Sequence, residues 1–87
     1  MTIWKYQLRV SDRQQVIMPV GATILSAHLQ YGSVCLWAMV DEELKESQER
    51  NIEIIGTGNP IPRGDRRFIG TVIASPFVWH VFERIEI

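Results

Sequence analysis

Cysteine is nearly missing from this chain: Cys35 is the only one, so no internal disulfide can close. Between Val34 and Leu36, its thiol reads as a small buried hydrophobe rather than a nucleophile. A lone thiol of this kind fits a reducing compartment. Histidine is almost as scarce, with only His28 and His80. No H-x-H, H-E-x-x-H or C-x-x-C spacing occurs, so a metal site would have to be gathered from distant residues, and none is expected. A basic excess is missing too. Nine Lys and Arg against ten Asp and Glu give a formal net charge of −1, which removes the usual ground for double-stranded nucleic acid. Long hydrophobic runs are also lacking. Nothing approaches the roughly 20 apolar residues of a membrane span, and Met1-Thr2-Ile3-Trp4-Lys5 starts no signal-peptide core. A soluble, intracellular protein without membrane contact is the expectation.

What the chain does have is 87 residues, 46% of them apolar and 22% charged. That is an ordinary globular mixture, enough for one domain over 1–87. Short apolar or alternating segments recur between turn signals, which is the all-β pattern. Ile3 to Val10 places Trp4, Tyr6, Leu8 and Val10 on one face. Gln14 to Met18 is a short second run, broken by Pro19 and Gly21. Thr23 to Tyr31 alternates Leu25, Ala27, Leu29 and Tyr31 with Ser26, His28 and Gln30. Tyr31-Gly32-Ser33 turns tightly into Val34 to Val40, which predicts a hairpin. That second arm is apolar on both faces, the mark of a strand in the middle of a packed structure.

Asp41 to Arg50 sets five carboxylates against Lys45 and Arg50 and is expected to be a solvated loop rather than a helical turn. Asn51 to Ile55 returns to strand, and Gly56 to Pro62 ends it. Arg63 to Arg67 forms a basic loop, and Phe68 to Ile73 and Phe77 to Ile87 complete the set around Ser75-Pro76. The reading is a compact seven-strand sandwich or partly open barrel. The last run alternates to the final residue, and an unprotected terminal strand invites another chain to pair, so a homo-oligomer is expected.

Chemistry is sparse. Gly56-Thr57-Gly58-Asn59-Pro60 invites comparison with phosphate-cradling loops, but two prolines follow, no helical pattern opens, and the lysine of such loops is absent. A turn needing positive backbone angles explains it, with exposed N–H groups as a possible anion nest. No serine carries a nucleophile elbow, and Glu42 and Glu43 lie in the solvated acidic stretch. An enzyme is not expected, nor a cofactor. Arg63, Arg66 and Arg67 cluster, and Lys5, Arg9, Arg13 and Arg84 could join them if the first and last strands are neighbours. Trp4, Trp37 and Trp79 offer flat surfaces for a base, although three tryptophans in a small core and arginines at a soluble surface need no ligand. The candidate binding set is therefore Gly56, Thr57, Gly58, Asn59, Arg63, Arg66, Arg67, Trp79, His80 and Arg84.

Ile3-Trp4-Lys5, Cys35-Leu36-Trp37-Ala38, Gly56-Thr57-Gly58-Asn59-Pro60-Ile61, Phe68-Ile69-Gly70-Thr71 and His80-Val81-Phe82-Glu83-Arg84 follow one another in an order that resembles a family of small proteins encoded by tailed bacteriophages and prophages. The resemblance spans essentially the whole chain. It implies an infected bacterial cytoplasm but no catalytic residue or cofactor. Where that family carries a histidine in its G-T-G-x-P segment, this chain has Asn59, which weakens any scheme needing a base or metal ligand there. The function expected in that setting is binding by occupancy, as a counter-defence or host-takeover factor. Two forms are open: sequestering a small anionic ligand such as a nucleotide messenger, or blocking a host defence protein. A structural or assembly role in the virion is the alternative, and single-stranded nucleic-acid binding a third.

Overall fold

The segment that is apolar on both faces is the middle strand of its sheet. In the computed structural model, which describes residues 1–85, the strands are β1 (Thr2–Gln7), β2 (Arg13–Pro19), β3 (Thr23–Gln30), β4 (Ser33–Val40), β5 (Ser47–Gly56), β6 (Arg66–Ala74) and β7 (Phe77–Arg84). They form two antiparallel sheets, β1-β4-β3 and β2-β5-β7-β6. Among the described residues no barrel closes, and no helix is long and apolar enough to cross a membrane.

One side of β4, Val34, Leu36, Ala38 and Val40, is buried against the second sheet's Ile52, Ile54, Val72 and Val81, with Met18 and Leu8 joining them. Burying one such aliphatic side chain contributes about 1.5–3 kcal/mol. The other side of β4 presents Trp37 and Met39 beside Ile3 and Lys5 of β1. Cys35 on that side is nonetheless buried, as its apolar flanks suggested.

Two bulges join the sheets along one border. The register slips between Ile24 and Ser26 in β3 and between Phe68 and Gly70 in β6. Such insertions bend a strand and increase its twist, and here β3 and β6 curl into contact. Gly70 sits at the closest approach: a Cβ there would stand 3.3 Å from the Ala27 carbonyl oxygen.

Several sequence expectations change in detail. The strand expected over Ile3 to Val10 ends at Gln7, and Val10 lies in the exposed connection to β2. The bulge in β3 puts Ile24 rather than Leu25 on the inner face, because one extra residue reverses the alternation before it. Tyr31 belongs to the β3–β4 turn, with φ of 49° followed by 78° at Gly32, and is 94% exposed. The acidic loop is shorter than expected, since Ser47 to Arg50 pair with Val16 to Pro19 and lengthen β5. Likewise Arg66 and Arg67 are already in β6 rather than in a loop.

The largest correction concerns the end of the chain. β7 is an interior strand, flanked by β5 and β6, so the terminal run is no open edge and the pairing argument for an oligomer loses its premise. The final part of that run, residues 86–87, lies outside the described residues. β1 and β7 belong to different sheets, so Lys5 and Arg84 are not on neighbouring strands.

Candidate functional site

Strand order decides which candidate residues can meet. β5 and β6 both run antiparallel to β7, so they are parallel to each other with β7 between them. The chain therefore leaves β5 at Gly56, opposite Trp79, and must return along the sheet to enter β6 at Arg66, opposite Arg84. Asn51 pairs with Arg84, five residues along β5 from Gly56, a separation of roughly 17 Å at the rise of an extended strand. The Gly-Thr-Gly turn and the arginine cluster consequently occupy opposite ends. The candidate set divides in two.

At the arginine end the positive charges are committed. Glu53, only 1% exposed, accepts from Arg66 Nε at 2.8 Å and from Arg84 Nη1 at 3.1 Å. The same guanidiniums donate to the returning loop, Arg66 to the Pro62 carbonyl and Arg84 to the Arg63 carbonyl. The cluster thus ties the loop down over the outer face of the sheet. Burial on its own raises the Glu53 pKa, but the hydrogen bonds and charges of Arg66 and Arg84 more than offset it and hold the carboxyl below its ordinary 4.5. On the inner face of the same end, Arg50 forks onto Glu83 and donates to the Ala22 carbonyl at 2.7 Å. Arg63 and Arg67 are exposed. Arg67 lines a cleft of about 360 Å³ with Gly21, Arg50 and Glu83.

The sequence reading missed Glu53 and Glu83. The available signal was Glu53 itself, a carboxylate amid Ile52, Ile54 and Ile55, because a charge inside an apolar strand requires a buried partner.

The opposite end gathers the turns. Thr57 N–H donates to the Val78 carbonyl and Asn59 N–H to that of Gly56, closing the turn, while Gly58 takes φ of 89°. This is the positive-angle turn expected from the sequence. His80 stands between two threonines: its Nε2 lies 2.7 Å from Thr57 Oγ1 and its Nδ1 3.1 Å from Thr71 Oγ1. Trp79 points the other way, packs against the core and stacks on Phe77 with ring centroids 5.3 Å apart. Two depressions flank that aromatic pair. One, of about 410 Å³, is lined by Gly56, Thr57, Asn59, Pro76, Phe77 and Trp79. The other, about 520 Å³, lies between Val10, Leu29, Gly32, Ala74, Phe77 and Trp79, and so joins both sheets.

Of the ten candidates, Gly56, Thr57, Gly58, Asn59, Trp79 and His80 come together here. The four arginines do not. Among the described residues, no three His, Cys, Asp or Glu side chains converge as a metal site would require.

No curated protein and no solved structure matches this chain. A family model does, over residues 1–86, and on that coverage the chain belongs to the family described as a domain of unknown function, DUF7352.

Proposed function

We propose that this protein works by occupancy, covering a surface of a protein partner with the turn end of its sandwich. One observation carries the reading: the exposed Val10, Leu29 and Phe77 line, with Trp79, one depression shared by both sheets, and the exposed Tyr31 directly precedes Gly32 of its lining. Soluble proteins seldom leave so many large apolar groups together without a use. Tyr31 is the strongest case. A tyrosine in the left-handed region costs roughly 1–2 kcal/mol relative to glycine or asparagine, and this one gives its ring to solvent.

The other form of occupancy, capture of a small anion, has less behind it. Arg66 and Arg84 spend their charge on Glu53, and the exposed Arg67 sits at the far end from the Gly-Thr-Gly turn. The resemblance to proteins of tailed phages and prophages makes an infected bacterium the proposed setting and a host defence protein the proposed partner.

The test is a partner captured from bacterial lysate and then reconstituted from purified components. Tyr31→Ala and Phe77→Ala should each weaken the binary affinity at least tenfold, as truncated aromatic anchors do. Unchanged affinity in both variants refutes the assignment of this surface. A nucleotide that binds the purified protein tightly, and depends on Arg67, would favour the anion reading instead.

A further inference from the structure

Beyond binding, and independent of it, we propose that Thr57, His80 and Thr71 form an acyl-transfer site, with Thr57 as nucleophile, His80 as base and Thr71 as the residue that positions the ring. A hydroxyl is a weak nucleophile until a base within hydrogen-bond reach takes its proton, and the base in turn must be held in one tautomer. The sheet supplies both contacts. His80 projects from the central strand β7. Thr71 is its direct partner on β6, and Thr57 follows the last pair of β5 on the other side.

Both ring nitrogens lie within hydrogen-bond distance of a hydroxyl, Nε2 2.7 Å from Thr57 Oγ1 and Nδ1 3.1 Å from Thr71 Oγ1. The reactive tautomer is the one in which Thr57 O–H donates to Nε2 and Nδ1–H donates to Thr71 Oγ1. Nε2 then has its lone pair on the hydroxyl that would react.

Two further features fit. Thr57 lies on a glycine-flanked turn, exposed to an incoming group. Thr57 also borders the depression of about 410 Å³ walled by Pro76, Phe77, Val78 and Trp79, which has room for a short apolar acyl chain and is not lined by His80 or Thr71.

The step balances. Thr57 Oγ1 attacks the ester carbonyl carbon and its proton passes to His80 Nε2. The carbon–oxygen bond to the leaving group breaks, and His80 returns the proton to the departing oxygen. An acyl-Thr57 ester remains, which water opens by the same sequence to give the free acid. Thr71 is neutral and stabilises the imidazolium less than a carboxylate would. Activated esters are accordingly the substrate class.

The experiment uses the full chain with p-nitrophenyl butyrate. Turnover above buffer is expected, and rapid acid quench should trap one butyryl group on the peptide containing Thr57. Thr57→Val and His80→Gln, with folded spectra and unchanged melting, should each lose about 100-fold in rate. His28→Gln, on the other sheet, should lose nothing. Thr71→Val should lower kcat with little change in KM, and Thr71→Ser should restore it. Turnover that survives Thr57→Val, a label found elsewhere, or no turnover by the folded wild-type protein would each overturn the proposal.

Discussion

Replacing Glu53 by glutamine keeps the side-chain shape and removes one charge from under two guanidiniums. In the native protein the carboxylate is 1% exposed, with the Arg66 and Arg84 side chains at 15% and 13%. None of the three can recover its hydration by a small movement. Breaking a buried ion pair from one side costs about 3–5 kcal/mol, because the remaining charge stays buried without compensation. Partial exposure of the arginines favours the lower figure, so about 3 kcal/mol is expected at pH 7. For a domain of this size that corresponds to a fall in Tm of roughly 12–24 °C. The effect must also depend on pH. The folded-state pKa of Glu53 is depressed, so its contribution is fully present above the ordinary 4.5 and disappears as pH falls through the folded value. In acid the wild-type carboxyl becomes protonated and resembles the glutamine that replaces it. Urea unfolding of both proteins between pH 7 and pH 2–3 measures the difference, and other carboxylates cancel in the comparison. A gap near 3 kcal/mol that closes in acid supports the argument. No gap at neutral pH, or one that persists unchanged in acid, refutes it.

Three further perturbations bear on other parts of the fold. Tyr31→Asn should stabilise the protein by about 1 kcal/mol, since asparagine tolerates the left-handed turn better, while weakening partner binding; thermal melts and calorimetry read the two effects separately. Gly64→Ala combines a φ of 129° with a Cβ that would collide with the Arg84 guanidinium. It should cost about 1–3 kcal/mol and expose the 57–65 loop to limited proteolysis. Leu36→Ala removes a fully buried side chain from the centre of β4 and should cost about 2–5 kcal/mol in urea unfolding, with no specific effect on the turn end.

The sequence exposed the sheets well because their signals are local. Alternation in Ile3 to Gln7, the two-sided hydrophobicity of Val34 to Val40 and the Tyr31-Gly32 turn each act within a few residues. Bulges do not announce themselves in this way. Leu25 continues the apparent alternation of Leu25, Ala27 and Leu29, and only the need for β3 to meet β6 makes one residue surplus. Strand order is equally silent. The terminal run has the pattern of an edge, yet β7 is central because the long return from Gly56 to Arg66 leaves room for it between β5 and β6. That placement depends on which strands pair across the whole chain, a property no window of residues contains.

The same nonlocality explains why the site was read only in half. Arg63, Arg66 and Arg67 are neighbours in sequence, and proximity suggested a shared ligand. In the sheet, however, residues alternate sides, so Arg66 joins Arg84 and Glu53 on the outer face while Arg67 meets Glu83 and Arg50 on the inner one. A cluster in sequence is divided between two faces: Arg66 pairs with the buried Glu53, while Arg67 stays exposed at the cleft where Arg50 holds Glu83. Thr57, Thr71 and His80 show the converse. They are 23 and 9 residues apart with no motif spacing, and antiparallel pairing alone brings them within hydrogen-bond reach. In an all-β chain of this kind, charge clustered along the sequence tends to be divided by the pleat, and polar chemistry is assembled across strands. A search for function should therefore begin from cross-strand neighbours, and here that route leads to His80.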